Sequence, residues 1–572
     1  MNRLNKQPFT KCAYAACATM LLVLTYLGTT PAQAQTCPPG TACDPGPRPV
    51  GSQFANFAGP KNSAGIALLP TPVVNTRQPA DANGNEGAGR AIANAGTAGK
   101  FWGNTGAVFG QLASVNGATD PTSGNPTLIG LGPAFNGNSC FMCHSQPAIG
   151  GTSPGIGTPG FTQNPQITVA NAFGALNPEN LSSFITPNGP IREARFILNE
   201  SDPSRLTLDG GVHDLFTIQG RTDAPAGCVL AQPDIATQLA NKNAIFRIPT
   251  PTFGLGLVEN VADADLANNA GLEHGLNSTI QNAVLNRNGN DGTVTRFGWK
   301  AQNKSLLLFA GEASNVELGM SNELFPNERT PGTNCTGNPL PEDNTQVLGQ
   351  LGQNPNSVGL NPQDVSSFVS SAIENFAVFM RLNGAPGQCD FASGVDVNGN
   401  AVCNPLSASA QAGLAVFNRI GCNVCHTQSF TTQPSGVQGL SNRTFQPFSD
   451  FGLHHMGLTL ADGVTQGVAG PDQFRTAPLW GLGQRFFFLH DGRTSDLKQA
   501  ILDHASNPLS CYATAATQVF TVTFPLDNNA TAVFTPAAGT ASCGSEANGV
   551  VNNFKGLSVT DQQNLLNFLR SL

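Results

Sequence analysis

Two pentapeptides of the chain share the pattern Cys-x-x-Cys-His, at residues 140–144 and 422–426. In each, two thiols one helical turn apart can add to the two vinyl groups of one haem, and the adjacent histidine can bind the iron. A zinc site is the alternative, but this histidine follows the second cysteine more closely than zinc ligands usually do. The pattern therefore predicts two covalently bound c-type haems, attached by Cys140, Cys143, Cys422 and Cys425, with iron ligands His144 and His426.

Helical periodicity predicts the elements that position the second pentapeptide. Apolar residues of 409–420 recur on one side of a helix, and the chain then enters Cys422. Near the C-terminus, residues 560–563 read Thr-Asp-Gln-Gln, a capping-box pattern, and leucines follow at helical spacing. A first helix that leads into the haem motif and a last helix that crosses it are the plan of a cytochrome c domain.

The remaining periodic segments define the fold class. Helices are predicted over 302–310 and 363–382. Residues 518–524 and 531–534 alternate in the manner of a β-hairpin. We therefore expect a mainly α protein with long irregular loops and a small β-hairpin insertion.

The first 34 residues have the features of a secretory signal peptide. Basic residues precede an apolar run, and Ala-Gln-Ala at 32–34 is a small-x-small cleavage pattern. The apolar run is short for a membrane span, so we expect cleavage after Ala34 and no transmembrane segment afterwards. A periplasmic or secreted location follows, and it agrees with the haem motifs, since c-type attachment takes place in exported compartments.

Composition agrees with a loop-rich exported protein. Only 11% of residues are charged, while the chain has 64 glycines and 41 prolines. The net charge of −8, with no basic block, argues against a nucleic-acid partner. Fourteen cysteines, less two in the signal peptide and four on haem, leave an even number for disulfides. The local pairing is 37–43, 228–335, 389–403 and 511–543, although sequence alone does not fix the connectivity.

Composition shifts divide the chain into four segments. The Gly/Pro-rich stretch from 384 to 405 interrupts the helical pattern and marks a domain boundary. The predicted division is a signal peptide at 1–34, a Gly/Pro/Asn-rich arm at 35–100, a first haem domain at 101–385 and a second haem domain at 386–572.

Other residue types add candidates to the haem sites. His213 is a candidate to approach the first haem from the side opposite His144, with a hydrogen-bonded structural role as the alternative. Since a guanidinium fork matches a carboxylate, four arginines are candidates to bind haem propionates: Arg247, Arg296, Arg475 and Arg493. Ordinary surface ion pairing is the alternative for all four.

On these motifs the chain resembles the di-haem oxidoreductases, which are related to bacterial di-haem cytochrome c peroxidases, the methylamine-utilisation di-haem enzyme and rubber oxygenases. The resemblance covers most of 100–505 and the last helix. It is carried by the two haem motifs and by residues 253–259, 296–300, 448–450, 454–457 and 490–493.

The resemblance implies two cytochrome c-like domains with one haem each. It also implies that one haem is the reaction site and the other passes electrons from a small redox protein or a small-molecule donor. Many of the peroxidases have a histidine some sixteen residues past the first motif, whereas this chain has Gly160 there. We therefore expect an open catalytic haem at 140–144. Three activities remain: peroxidase with hydrogen peroxide, oxygenase with dioxygen as in the rubber oxygenases, and electron carrier without turnover.

Three further residues receive roles from the resemblance. In the peroxidases the sixth ligand of the second haem lies fourteen residues past the histidine of a His-Asp-Gly motif, which from His490 leads to His504. His504 also shares a helix face with Leu497 and Ile501, so it is expected to point inward and bind iron opposite His426. Glu259, at the end of an apolar run, matches a distal glutamate that transfers protons, with a capping or salt-bridged residue as the alternative. Trp299 is either an aromatic relay between the haems or a packing residue.

Overall fold

The structure is a computed structural model of the 572-residue chain. It describes residues 37–48, 109–110, 112–114, 128–156, 158, 161–175, 181–199, 215–218, 226–228, 230, 233–270, 283–327, 371–386, 388, 392–395, 401–403, 406–508, 520–524, 530–534 and 544–572. The predicted signal peptide, most of the predicted arm and His213 lie outside these residues. None of the described helices is long and apolar enough to cross a membrane.

Helices are the main regular structure in the described part of the chain, and serine side chains begin several of them. Ser305, Ser407 and Ser558 each accept a hydrogen bond from a backbone N–H of the first turn, which satisfies a donor that has no partner inside the helix. In chain order the α-helices are α1 (Cys140–Cys143), α2 (Pro165–Ala172), α3 (Ile235–Ala240), α4 (Leu255–Glu259), α5 (Asp263–Ala270), α6 (Leu306–Leu318), α7 (Ala372–Leu382), α8 (Ala408–Ile420), α9 (Gly457–Leu460), α10 (Leu497–Asp503), α11 (Asn548–Lys555) and α12 (Val559–Leu569).

The strands are short, and each sheet among the described residues has two of them. The pairs β3–β4, β5–β6, β7–β8, β9–β10 and β11–β12 are antiparallel, and β1–β2 is parallel. The predicted hairpin insertion is present as the pair β11–β12. The strands are β1 (Ala113–Ser114), β2 (Leu128–Ile129), β3 (Glu193–Phe196), β4 (Ala244–Arg247), β5 (Ala392–Val395), β6 (Ala401–Cys403), β7 (Phe430–Thr431), β8 (Thr444–Phe445), β9 (Leu453–His455), β10 (Gln473–Arg475), β11 (Phe520–Phe524) and β12 (Ala530–Phe534).

Two predicted helix starts were wrong by a few residues, and capping explains each difference. The helix expected over 302–310 begins only at Leu306, after the Ser305 cap, and continues to Leu318. The last helix begins at Val559 because Ser558, two residues before the predicted cap, accepts from the backbone of Asp561. Helix α10 is capped by Asp496, whose carboxylate accepts hydrogen bonds from the backbone N–H groups of Lys498 and Gln499.

Helices α8 and α12 cross at very close range, as the sequence predicted. A Cβ atom at Gly413 would lie 2.0 Å from the backbone oxygen of Asn564, so only glycine permits this approach. Phe417 and Phe568 pack edge to face across the crossing, with ring centroids 5.4 Å apart. The crossing supports the second haem motif, since Phe417 also lies beside the ring of His426.

A second packing unit supports the first haem motif. Helix α7 packs against α6 and α4, and its Phe379 lies 4.5 Å from the ring of Phe109, measured between centroids. Phe109 in turn contacts the ring of His144. Buried apolar residues of these helices form one cluster with Met142 of α1, which fixes the first motif against the helices.

Candidate active site

The first Cys-x-x-Cys-His segment forms the single-turn helix α1. Ser139 caps it by accepting a hydrogen bond from the backbone of Met142, 3.1 Å away. The backbone N–H of His144 donates to the carbonyl of Cys140, so the turn brings both cysteines and the histidine together. Burial raises the pKa of the Cys140 thiol to about 12. Neither Cys140 nor Cys143 is in a disulfide, so both sulfurs are available for thioether bonds.

A backbone hydrogen bond fixes the ring of His144. Its Nδ1 atom lies 3.0 Å from the carbonyl oxygen of Gly151. That carbonyl reaches the ring through a tight loop, in which a Cβ atom at Gly151 would lie 2.0 Å from the oxygen of Gln146. Burial lowers the pKa of His144 to about 4, and hydrogen bonds to the backbone of Gly151 and Thr250 oppose this shift only in part. The ring is therefore neutral, with a proton on Nδ1 and with Nε2 suited to an iron bond.

The second motif reproduces this arrangement. Gly421 ends α8 in the left-handed conformation, with φ of 98°, and Cys422–Val424 form a 3-10 turn. The Nδ1 atom of His426 lies 2.8 Å from the carbonyl oxygen of Phe448, and burial lowers the pKa of His426 to about 4. Cys422 and Cys425 are also outside any disulfide. Both sites therefore offer the donors that a covalently attached haem requires.

His504 lies close to the second motif. It follows the last residue of α10, and its Nδ1 atom is 2.7 Å from the carbonyl oxygen of Ala500, which leaves Nε2 for another partner. Burial lowers the pKa of His504, and His504 in turn contributes to the lowered pKa of His426. The structure thus brings the two predicted ligands of the second haem together, while their joint binding of one iron remains a prediction.

A cavity opens beside the first motif. Cys143 and His144 line it, and Trp299 and Arg247 contribute to its wall. The indole nitrogen of Trp299 donates to the carbonyl of Ile248 at 2.8 Å, and its ring meets that of His490 edge to face at 6.4 Å. Trp299 therefore links the cavity to the His-Asp-Gly segment, a position that suits a relay as well as packing.

Two glutamates that the sequence analysis missed face each other in this cavity. Glu317 of α6 and Glu193 of β3 both line it, and their side chains are hydrogen-bonded to each other. Burial and the charge of Glu193 raise the pKa of Glu317 well above its usual value. Asn136 donates to Glu317 at 2.9 Å, and Arg195 donates to Glu193 at 2.9 Å. Such a pair can hold a proton beside a carboxylate near neutral pH.

The structure places Glu259 elsewhere, with the contacts of the alternative interpretation. Its carboxylate accepts two hydrogen bonds from Arg381, at 2.5 and 3.1 Å, and one from the backbone of Leu306 at the start of α6, at 2.8 Å. It is not among the residues that line the cavity beside His144. These contacts tie α4 to α6 and α7, so Glu259 does not face the cavity, whereas Glu193 and Glu317 line it.

Arg247 and Arg493, two of the four arginines predicted to bind propionates, are bound to protein groups. Arg247 makes a buried ion pair with Asp462 at 2.5 Å, although it also lines the cavity. Arg493 makes an ion pair with Asp491 at 2.7 Å. These partners occupy most of the donors of both guanidinium groups, so neither arginine is preorganised for a propionate.

Buried nitrogens of two other arginines lack a hydrogen-bond partner in the described part of the chain, and one of them belongs to Arg475, another of the predicted arginines. Among the described residues, Nη1 of Arg475 and Nε of Arg485 are buried without a hydrogen-bond acceptor. Burial lowers the pKa of each guanidinium to about 10. A buried donor without an acceptor is costly, and a haem carboxylate would supply one. These atoms therefore fit the predicted cofactors.

His454 is committed to other bonds. Its two ring nitrogens lie 2.8 Å from a carboxylate oxygen of Asp450 and 2.8 Å from one of Glu546. Burial lowers the pKa of His454, but Cys425 and Asp450 together raise it well above its usual value. A ring bonded at both nitrogens is not available to iron, so His454 acts in the packing around Cys425.

The structure also has disulfide bonds in two of the predicted regions. Cys37 and Cys43 are bonded to each other, as the local pairing predicts. Cys228 is disulfide-bonded as well. Cys335, Cys389, Cys511 and Cys543 lie outside the described residues, so the other three predicted pairings stay predictions.

Comparison with known proteins found one matching family model and several similar solved structures. The sequence model of a family described as "Di-haem oxidoreductase, putative peroxidase" matches residues 206–521. One similar solved structure is a MauG-like protein associated with microbial copper homeostasis, with 14% identity, 62% of this chain and 95% of that chain covered, and a TM-score of 0.27. Another is the diheme peroxidase BthA from Burkholderia thailandensis, with 14% identity, coverage of 57% and 86%, and a TM-score of 0.23. No curated protein sequence matches the chain.

Proposed function

Because the chain belongs to the di-haem oxidoreductase family, we propose that it is an exported, peroxidase-type enzyme with a covalently bound haem at each Cys-x-x-Cys-His motif. In this proposal His144 binds the iron of an open catalytic haem. His426 and His504 bind the iron of an electron-transfer haem. The predicted domains at 101–385 and 386–572 would each have a cytochrome c-like arrangement.

The observation that carries the proposal is the hydrogen-bonded pair of Glu193 and Glu317 in the cavity that His144 lines. When bound there, the haem would supply the iron and the electrons for cleavage of the peroxide O–O bond. The protein must move a proton from the near oxygen to the far one, because hydroxide is a poor leaving group. A carboxylate beside a carboxylic acid can accept the first proton and donate the second. Two electrons and two protons then convert one hydrogen peroxide to two waters.

The surrounding contacts prepare the pair for this role. Arg195 donates to Glu193 and favours its charged form, while burial keeps the proton on Glu317. Asn136 orients Glu317 by donating to one of its oxygens. Trp299 lies in the wall of the same cavity and against His490. We assign it the transfer of electrons towards this cavity from the second haem.

The acid pair also favours peroxide chemistry over the oxygenase alternative. An oxygenase that cleaves an apolar substrate has no need for a buried proton-transfer pair, and such a pair makes the cavity more polar. A reduced small redox protein or a small-molecule donor would supply the electrons, since two electrons are needed in each turnover.

The proposal is tested by turnover of the full-length haem-loaded protein. We expect hydrogen peroxide to be consumed with oxidation of two equivalents of a one-electron donor, and no dioxygen uptake with a polyisoprene substrate. Oxygen uptake with polyisoprene and no donor oxidation by peroxide would contradict it in favour of the oxygenase. Two six-coordinate haems without peroxide turnover would contradict it in favour of an electron carrier.

A further inference from the structure

Residues 37–48, the described residues nearest to the N-terminus, pack against the region of the second haem motif. We call them the N-terminal clip. The Cys37–Cys43 disulfide closes its first turn. Ala42 and Asp44 follow that turn and are buried, each with 3% of its surface exposed. Ala42 packs in the same apolar cluster as Phe417 and Leu497, so the clip is part of the core around α8, α10 and α12.

Asp44 is the centre of the clip. Its carboxylate accepts hydrogen bonds from Nε and Nη2 of Arg570, at 2.8 and 2.6 Å. Arg570 is fully buried and also donates to backbone carbonyls of 482–485. The same carboxylate accepts from the backbone N–H of Leu497, the first residue of α10, at 2.8 Å. One buried charge therefore ties α10 to the residue that follows α12.

Three further bonds hold the clip in place. The Lys498 ammonium donates to the carbonyl of Ala42 at 2.7 Å. The backbone N–H of Cys43 donates to the side chain of Gln563 on α12, at 3.1 Å. The backbone N–H of Arg48 donates to the carbonyl of Gly483 at 2.7 Å. The clip thus contacts α10, α12 and the 482–485 segment at separate points.

This arrangement matters because α10 begins at Leu497 and ends next to His504. A helix of seven residues is a rigid rod about 10 Å long, so a shift at its start moves its end. We propose that Asp44 is a positioning residue that holds α10 so that the His504 ring reaches the iron of the second haem. The inference rests on the assignment of His504 in the proposed function and extends it to the clip.

Asp44→Asn is a sharp test because, among the described residues, the groups bonded to this carboxylate are all donors. The N–H groups of Arg570, Leu497 and Gly46 all point at Asp44. In asparagine one of the two oxygens is replaced by an NH₂ group, which would face at least one of these donors. An NH₂ group cannot accept a hydrogen bond, so the bonds to that oxygen would be lost. Asp496→Asn is the matched control on the same helix. Asp496 is exposed and accepts only backbone N–H groups at the start of α10, and asparagine caps a helix equally well.

Two quantities are measured in the full-length, haem-loaded protein. One is the low-spin signal of the second haem, and the other is the apparent affinity of that haem for added cyanide. Cyanide can bind only after His504 dissociates, so its apparent affinity follows the dissociated fraction. For Asp44→Asn we expect this affinity to increase by about tenfold, from loss of a charged buried hydrogen bond. Asp496→Asn should match the unaltered protein. If Asp44→Asn does not fold, Arg570→Lys keeps the charge but removes the fork, and a smaller shift in the same direction is expected.

His504→Ala separates the two assumptions. In one outcome, His504→Ala abolishes the low-spin signal while Asp44→Asn and Arg570→Lys leave both the signal and the cyanide affinity unchanged. That result would overturn the positioning role of the clip but not the assignment of His504 as a ligand. An unchanged low-spin signal in His504→Ala would overturn the ligand assignment in the proposed function and, with it, this inference. An equal shift in Asp44→Asn and Asp496→Asn would also overturn it, because general weakening of α10 would then explain both.

Discussion

Replacement of Glu317 by glutamine tests the proton-transfer pair without disturbing its shape. Glutamine keeps an oxygen that can accept from Asn136, in place of the present 2.9 Å bond. Its NH₂ group can donate to Glu193, in place of the proton that now joins the two carboxyl groups. The variant should therefore fold and attach haem normally. It loses only the ability to release and recover a proton.

The expected loss is about 10²–10⁴-fold in kcat/KM for hydrogen peroxide, the usual contribution of a positioned acid–base group. Stopped-flow mixing of peroxide with the haem-loaded protein and a reduced donor measures this rate. Glu259→Gln is the control. Glu259 is bound to Arg381 and to the start of α6 outside the cavity, so its substitution should reduce thermal stability and leave kcat/KM within a few-fold. A Glu317→Gln variant with unchanged peroxide kinetics would refute the reasoning, as would a larger loss in Glu259→Gln.

The raised pKa of Glu317 makes the free energy of unfolding depend on pH, which provides a second measurement. The folded protein retains this proton above about pH 4.3, where an unfolded glutamate releases it. The folded state therefore binds more protons, and this residue lowers the free energy of unfolding as the pH rises from about 4.3 to the folded pKa. Glutamine has no such dependence. Glu317→Gln should consequently gain stability relative to the unaltered protein over that range, measured by denaturant unfolding at several pH values.

Three further predictions concern the cofactors and the buried charges. The double variant Cys140→Ala with Cys143→Ala should retain one covalently bound haem after acid–acetone extraction, and full haem content would contradict the attachment at this motif. Asp462→Asn should lower the free energy of unfolding by roughly 3–5 kcal/mol, because Asp462 is buried between Arg247 and Lys300; denaturant unfolding would measure the loss. The pKa of Asp462 is lowered in the folded protein, so this stabilisation is present above about pH 3.9 and is lost as the pH falls towards the folded pKa. In acid unfolding, Asp462→Asn should therefore lack the loss of stability that the unaltered protein shows over this pH range.

The sequence correctly predicted the turns and helices that depend on residues close together in the chain. The turn of Cys140 to His144 and the helix ending before Cys422 follow from local periodicity and caps, and the structure has both. The prediction for His504 also had a local basis, the apolar face of α10, and the structure brings this histidine close to His426. Helix starts were less accurate, since a capping serine or aspartate competes with its neighbours and only backbone geometry selects one.

The acid pair could not be found in the same way. Glu193 and Glu317 are far apart in sequence, and β3 and α6 bring them together only in the folded chain. A weak signal existed, because Glu317 lies on a helix whose residues are mostly apolar. Glu259 gave a similar signal, and its partner Arg381 was equally remote in sequence. Pairing across the fold therefore decides which carboxylate is structural and which faces the cavity.

The ion pair of Asp44 with Arg570 has a consequence for the order of folding. The two residues are 526 positions apart, and both are buried in the completed structure. Contacts of such long range form late, since the intervening chain must first be compact. Helix α10 would therefore gain its final N-terminal contact only after α12 has packed on α8. His504, at the other end of α10, would then reach its final position among the last events of folding.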